Sequence, residues 1–218
     1  FNNPADLANY PRTEAEDARK LERFGVDALW VPDADQMYPP AFATTVSVSG
    51  LTDVMEGAFR PGHFDGVGTI VKKLFEIVQP ANAYFGEKDF QQLQIVKKLV
   101  EKEKLPIHVV GCPITREENG LAMSSRNQRL STGEKDAAAF IYQTLKEARQ
   151  RFANESPAEV TAYVYDAFAA RPEFTMDYFE IAAEDDLKPA TVKENRKYRA
   201  FVAVFLSNVR LIDNISLN

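Results

Sequence analysis

Apolar residues recur with helical spacing in the middle of the chain, between short apolar runs. In residues 65–79 they fall at every third or fourth position, which predicts an amphipathic helix. Residues 89–105 predict a second helix, and the short apolar segments 81–86 and 106–114 on either side of it predict strands. Strands that alternate with helices at this spacing predict βαβ units and a mostly parallel sheet.

The first fifty residues give further signals of the same kind. Thr13 followed by Glu16 has the spacing of a capping box that opens a helix, and Gly25 is placed to end that helix. Residues 28–32 predict a buried strand. Residues 44–50 alternate between polar and apolar side chains, as a half-exposed strand would.

The pattern changes after Arg116, where helices replace the alternation of strand and helix. Two capping boxes, which begin at Ser131 and Ser156, predict two consecutive helices. The end of the chain predicts three antiparallel strands, at residues 174–184, 198–208 and 209–217. We therefore expect a second, smaller α+β domain that begins near residue 115.

Composition narrows the range of functions that the chain could have. The 218 residues carry a formal charge of -6, and the lysines and arginines are scattered, so nucleic acid is not an expected partner. No apolar run approaches the roughly 20 residues of a membrane span, and we expect a cytoplasmic protein without membrane contact. No group of cysteine, histidine and carboxylate residues has metal-ligand spacing, and neither histidine has a local serine or cysteine partner. A protein-bound transition metal and covalent catalysis are therefore not expected.

Polar residues follow the predicted strand 81–86, at the edge where parallel sheets bind ligands. Gly86 permits close backbone approach, Lys88 offers a mobile cation, and Asp89 begins the next helix. An anion site is one interpretation. The other is that Asp89 caps the helix with Gln92 at its third position, while Lys88 is only solvated. This segment alone leaves both interpretations open.

A second polar stretch, GLAMSSRN, occupies residues 120–127. The hydroxyls of Ser124 and Ser125 and the guanidinium of Arg126 lie together without an acidic neighbour, which suits phosphate oxygens. The alternative is a polar turn that precedes the helix cap at Ser131. The presence of a second candidate anion site upstream favours phosphate. We expect Arg60 and His63, in the segment RPGHF, to have structural roles close to the site.

Five segments together resemble the pantothenate synthetase family: NPADLANYPRT, MEGAFRPGHFDGVGTIVKKLF, FGEKDFQQL, GLAMSSRN and RLIDN. They follow one another in family order almost from Phe1 to Asn214. The resemblance implies an α/β protein with a Rossmann-like nucleotidyltransferase domain at residues 1–114, incomplete at its N-terminus because the family's H-x-G-H segment is not within these residues. A small α+β lid domain at residues 115–218 would follow, with residues 123–126 similar to the KMSKS-type loop of class I aminoacyl-tRNA synthetases.

The resemblance also implies an ATP-dependent ligase. The pantoate carboxylate would attack the α-phosphorus of Mg-ATP, releasing pyrophosphate and giving pantoyl adenylate, and the amine of β-alanine would then displace AMP. Neither step needs an enzyme nucleophile, so catalysis would depend on positioning and charge neutralisation. The implied partners are ATP, pantoate and β-alanine, with Mg²⁺ as cofactor and a second copy of the chain in a homodimer.

The family pattern assigns the site residue by residue. Lys88, Ser124, Ser125 and Arg126 would be catalytic, because they would stabilise the transferring phosphates and hold the outgoing pyrophosphate. Gln92 would bind pantoate. The ATP-binding set would be Gly86, Glu87, Lys88, Asp89, Thr115, Met123, Ser124, Ser125 and Arg126, and no residue is expected to ligate a metal. Two alternatives stay open: an inactive fragment that only dimerises or binds nucleotide weakly, and a related nucleotidyltransferase.

Overall fold

A computed structural model describes residues 8, 10–38, 46, 48 and 50–218 of the chain. The helices in this part are α1 (Glu14–Arg23), α2 (Ala34–Met37), α3 (Glu56–Phe59), α4 (His63–Val78), α5 (Phe90–Glu103), α6 (Thr132–Phe152) and α7 (Pro157–Ala169). The strands are β1 (Asn82–Gly86), β2 (His108–Cys112), β3 (Phe174–Ala183), β4 (Tyr198–Leu206) and β5 (Val209–Ser216). Two short 3₁₀ turns lie at Glu87–Asp89 and Ser125–Arg129.

The strands β1 and β2 pair in parallel, and α5 is the crossover between them. This βαβ unit confirms the prediction made from the alternating pattern. The helix α5 buries an apolar stripe that includes Leu93, Val96 and Leu99, while α4 packs against it. Because the carboxyl end of β1 leads directly into the 3₁₀ turn Glu87–Asp89, the unit places that turn at one edge of the sheet.

The three C-terminal strands form an antiparallel sheet in the order β3-β4-β5, as predicted. The central strand β4 is buried on both faces. Val202 and Val204 belong to the apolar cluster formed with α6 and α7, whereas Phe201 and Ala203 belong to the cluster formed with α4 and α5. Both helices in front of this sheet begin with the predicted capping boxes. The fold is therefore α/β, with one antiparallel sheet shared between two apolar cores.

The predicted strand at residues 28–32 is wrong. The structure assigns no strand there, and Leu29, Trp30 and Val31 are each about half exposed. A strand is stabilised by hydrogen bonds to a neighbouring strand, and no described residue pairs with this segment. Most of the other predicted N-terminal strand, 44–50, lies outside the described residues. The structure does describe Val46 and Val48, which are buried but belong to no strand.

The first helix ends as predicted but begins differently. Gly25 follows the helix with a φ of +67°, a conformation that favours glycine. Thr13 does occupy the position before the helix, but its side chain makes no capping hydrogen bond. Its hydroxyl donates to the Asp17 carboxylate at 3.1 Å instead, so the capping box predicted with Glu16 is absent. The backbone of Thr13, with ψ of 37°, is not in the extended conformation that a capping side chain requires.

Replacement of Phe201 by alanine tests the shared sheet. Phe201 is buried, and its ring lies 5.9 Å from the ring of Phe90 at the start of α5. We expect Phe201→Ala to lower the free energy of unfolding by about 3 to 5 kcal/mol, as is typical for a buried aromatic residue. Urea unfolding followed by circular dichroism measures this loss. Phe205→Ala on the same strand is the matched control, because Phe205 is exposed; equal losses in the two variants would contradict the shared core.

Candidate functional site

A cavity of about 620 Å³ opens between the turn after β1, the loop before α6 and the hairpin of β4 and β5. These three segments are far apart in the sequence. Their side chains bring charged and hydroxyl groups of both predicted anion sites to one space. The lining residues that matter for its chemistry are Glu56, Arg60, Lys88, Asp89, Ser124, Arg126, Asn127, Asp177, Arg210 and Asp213.

The turn after β1 presents a cation and a carboxylate to this cavity. Lys88 is half-buried, and no described residue accepts a hydrogen bond from its ammonium or forms an ion pair with it. Asp89 is exposed and occupies the position before α5, but its carboxylate makes no capping hydrogen bond to the helix. The interpretation of Asp89 as a helix cap is therefore not supported. Both groups remain available to a ligand in the cavity.

The loop before α6 is held as a tight hairpin. The backbone N–H of Met123 donates to the carbonyl of Thr115 at 2.9 Å, and Gly120 between them has a φ of +93°. A Cβ at Gly120 would also lie 2.8 Å from the ring of Tyr142, so two constraints favour glycine there. The hydroxyl oxygen of Ser124 accepts a hydrogen bond from the backbone N–H of Arg126 at 3.2 Å. The hairpin thus fixes the start of the segment that carries the predicted phosphate ligands.

The predicted ATP-binding residues divide into two groups. Those that line the main cavity are Lys88, Asp89, Ser124 and Arg126. Those that do not line it are Gly86, Glu87, Thr115, Met123 and Ser125. The residues of the second group lie in the same segments of the chain as the residues of the first group. Gln92, predicted to bind pantoate, lies beside a smaller adjoining cavity that shares Lys88 and Asp89 with the main one.

Sequence reasoning missed the contacts that hold these segments in place. Arg116 donates to both carboxylate oxygens of Asp213, at 2.6 and 2.9 Å, and to the carbonyl of Gly120 at 3.0 Å. Burial raises the pKa of Asp213, and the charge of Arg116 opposes that rise. The amide nitrogen of Asn214 donates to the carbonyls of Glu87 and Lys88, each at 2.9 Å. In the sequence, the segment RLIDN, which ends with Asp213 and Asn214, was the one signal that pointed to these two residues.

One wall of the cavity is a network of opposite charges. Arg210 donates to both carboxylate oxygens of Glu56, at 2.8 and 2.9 Å, and to Asp177 at 2.8 Å. The hydroxyl of Tyr178 donates to Glu56 at 3.0 Å. Burial acts to raise the pKa of Glu56, but the hydrogen bonds and charge of Arg210 outweigh it, and the pKa is lowered. Because Arg210 is held between two carboxylates, it forms a fixed part of the wall.

His63 lies beside the smaller cavity, at the start of α4. Burial and, next to it, the positive charge of Arg60 lower the pKa of His63 to about 4, while Glu56 acts in the opposite direction. The imidazole is therefore neutral near pH 7. A neutral imidazole beside the same cavity as Gln92 can accept or donate a hydrogen bond without adding charge to the site.

The depressed pKa of His63 predicts acid sensitivity. An unfolded histidine binds its proton near pH 6.5, whereas the folded one binds it near pH 4. The contribution of His63 to stability is therefore complete above pH 6.5 and is lost as the pH falls toward 4. We expect a ¹H NMR titration midpoint near 4 for His63, and a weaker dependence of unfolding free energy on pH between 4 and 6.5 in His63→Gln.

The chain has two histidines, so the variant also assigns the resonance. His108→Gln serves as the matched control, because it should leave the titration of His63 in place. A midpoint near 6.5 for His63 would contradict the burial of a neutral imidazole.

Within the described ranges, no three His, Cys, Asp or Glu side chains lie close enough together to hold a metal ion. None of the helices in the described part is both long enough and apolar enough to cross a membrane.

The β1-α5-β2 unit and the polar cavity beside its outgoing turn place the chain among α/β enzymes that bind ligands at strand carboxyl ends. More specifically, the chain belongs to the pantoate-beta-alanine ligase family, whose sequence profile matches residues 1–216.

Individual relatives agree with this family. The chain is 52% identical over 220 residues to the pantothenate synthetase of Flavobacterium psychrophilum, covering all of this chain and 78% of that protein. It is 50% identical to the pantothenate synthetase of Ruegeria pomeroyi, covering 76% of that protein. The relatives are thus longer than these 218 residues.

Solved structures agree as well. The crystal structure of pantothenate synthetase from Thermus thermophilus matches with a TM-score of 0.94 and 42% identity over all of this chain and 79% of that one. Pantoate-beta-alanine ligase from Francisella tularensis, crystallised with β-γ ATP and β-alanine, matches with a TM-score of 0.79 and 32% identity over all of this chain and 75% of that one. These names support neither an inactive binding fragment nor a different nucleotidyltransferase.

Proposed function

We propose that the cavity joins pantoate to β-alanine at the expense of ATP through a pantoyl adenylate. In the first step a carboxylate oxygen of pantoate bonds to the α-phosphorus of ATP, and the bond to pyrophosphate breaks. In the second step the amine of β-alanine bonds to the carbonyl carbon, and AMP leaves. The observation that carries the proposal is the meeting of Lys88 and Asp89 with Ser124 and Arg126 around one cavity.

Lys88 supplies the positive charge at the transferring phosphorus. Its ammonium is on a flexible stem, has no described partner, and faces the cavity, so it can follow the charge that develops on the phosphate oxygens. Gly86 and Glu87 provide the backbone beside it, and with Asp89 they form the edge on which the ribose lies. Asp89 is exposed, which leaves its carboxylate free to accept hydrogen bonds from hydroxyls.

The loop before α6 holds the pyrophosphate. Ser124 and Arg126 line the cavity directly, and Ser125 between them begins the 3₁₀ turn Ser125–Arg129. The Ser124 hydroxyl already accepts one backbone hydrogen bond, and its proton remains available to a phosphate oxygen. Thr115 and Met123, joined through their backbones, form the base of this loop beside the nucleotide. Closure of the loop on ATP would exclude water from the mixed anhydride.

We place pantoate in the main cavity, against the mouth of the smaller one, which at about 30 Å³ is too small to enclose it. Gln92 and His63 both line the smaller cavity, and Lys88 lines both cavities. The amide of Gln92 can donate to and accept from the hydroxyl groups of pantoate. Because His63 is neutral, Lys88 is the group that neutralises the negative charge of the pantoate carboxylate.

Magnesium fits this site as a partner of the nucleotide. Mg²⁺ keeps several waters and is bound mainly by substrate phosphates and one or two carboxylates, and Asp89 is an exposed carboxylate on the cavity. When bound, Mg²⁺ neutralises charge on the triphosphate. Homodimerisation and a cytoplasmic location are further proposals, supported by the family resemblance. A domain boundary at residue 115 is supported by the hairpin that begins there.

Lys88→Ala tests the proposed chemistry. We expect AMP release by the protein expressed from its natural gene to require both pantoate and β-alanine. The variant should lower kcat for adenylation by about 100- to 1000-fold, the loss typical of a removed transition-state donor. Pantoate-dependent exchange of labelled pyrophosphate into ATP measures that step alone.

The control is Lys97→Ala, an exposed lysine on α5, the helix that follows the turn of Lys88. It should keep the wild-type exchange rate, and both variants should keep the wild-type stability in urea, because neither lysine forms an ion pair with a described residue. A wild-type exchange rate in Lys88→Ala would show that Lys88 does not act at the transferring phosphate.

Arg126→Ala tests the loop. Loss of a charge-assisted hydrogen bond to the triphosphate should raise KM for ATP by about 10- to 100-fold, with a smaller effect on KM for β-alanine. Steady-state kinetics of AMP release with each substrate varied in turn gives both values. Arg149→Ala, an exposed arginine near the end of α6, provides the comparison for general loss of positive charge. An unchanged KM for ATP in Arg126→Ala would contradict the role of the loop.

A further inference from the structure

Asn214 is a buried side chain whose amide is fully used. It is 2% exposed and lies on β5. Its amide nitrogen has two protons, and they go to the carbonyl oxygens of Glu87 and Lys88, each at 2.9 Å. Its amide oxygen accepts from the guanidinium of Arg199 at 2.6 Å. The contacts with Glu87 and Lys88 span 127 and 126 residues of sequence, so they tie the end of the chain to the turn that carries Lys88.

The chemistry of the three partners fixes which way the amide points. A guanidinium can only donate, and backbone carbonyls can only accept, so oxygen must face Arg199 and nitrogen must face the turn. Arg199 is itself held, because it donates to Glu184 at 2.9 Å and lies over the ring of Phe90 at 4.0 Å. The amide therefore cannot rotate to an equivalent arrangement, and the two carbonyls have a rigid support.

The geometry points to Asn214 as the positioning residue for Lys88, an inference that rests on the proposed function of that lysine. The ammonium of Lys88 has no side-chain partner among the described residues. Its place in the cavity is therefore set by its backbone. From β5 of the antiparallel sheet, Asn214 holds that backbone by two carbonyls in succession. Asn214 lines the smaller cavity but not the main one. A displacement of about 1 Å at a catalytic group can cost about 100-fold in rate.

A double-mutant cycle on the adenylation step tests this inference. The four proteins are wild type, Asn214→Ala, Lys88→Ala and the double variant, each assayed by pantoate-dependent pyrophosphate exchange. We expect Asn214→Ala to lower kcat by about 10- to 100-fold with less than a threefold change in KM for pantoate. In the Lys88→Ala background the same substitution should change the rate by less than twofold, because the group that it positions is gone.

Two further variants separate positioning from folding. Val164→Ala removes a buried apolar group of α7, so it lowers stability without touching the turn, and it should keep the wild-type exchange rate. Asn214→Asp keeps the shape of the side chain but removes both donated hydrogen bonds, so it should lose adenylation as Asn214→Ala does. If Asn214→Ala does not fold, Asn214→Ser is used in the same cycle.

The outcomes distinguish the two proposals. Wild-type exchange in Lys88→Ala would overturn the proposed role of the lysine, and with it the role of Asn214. If Lys88→Ala is impaired but the loss from Asn214→Ala is the same in both backgrounds, only the positioning role is overturned. A wild-type rate in Asn214→Asp would likewise overturn it.

Discussion

The structure depends on two neighbouring residues of β5 that hold the two halves of the site from opposite faces of one sheet. Side chains alternate across a strand, so Asp213 and Asn214 point in opposite directions. Asp213 binds Arg116 at the base of the loop hairpin, and Asn214 binds the backbone of the turn that carries Lys88. The relative position of the two candidate anion sites is therefore set by one peptide unit in the middle of a hydrogen-bonded sheet.

This arrangement assigns different tasks to the positive charges around the cavity. Arg116 and Arg210 are each bound to carboxylates, and such buried pairs add more to geometry than to net stability, since desolvation offsets much of the attraction. Lys88 is bound to none that the structure describes. Fixed arginines thus shape the walls, while the lysine keeps its charge for the ligand. A lysine held in an ion pair of its own would have to break it before it could meet a phosphate.

The parts of the fold that the sequence predicted correctly are those with local causes. The capping boxes at Ser131 and Ser156 are complete, because each needs only residues three apart and an extended backbone at the serine, which Thr13 lacks. The apolar stripe that predicted α4 likewise lies within one helix, so its cause is local. The predicted strand at 28–32 failed because a strand also needs a partner, and its apolar run carries no information about one. Of the residues predicted at the two anion sites, Lys88, Asp89, Ser124 and Arg126 line one cavity, and their roles there stay a prediction.

What the sequence could not predict is the support of those turns. The contacts of Arg116 with Asp213 and of Asn214 with Lys88 join residues about 100 positions apart or more, and no periodicity or spacing rule operates over that distance. A buried asparagine and a buried aspartate in an apolar strand were nevertheless a local anomaly. Polar groups in such places must be hydrogen-bonded, and here their partners are the segments that carry the chemistry. In this chain, the polar residues Asp213 and Asn214 within the buried strand β5 hold the segments of the site in place.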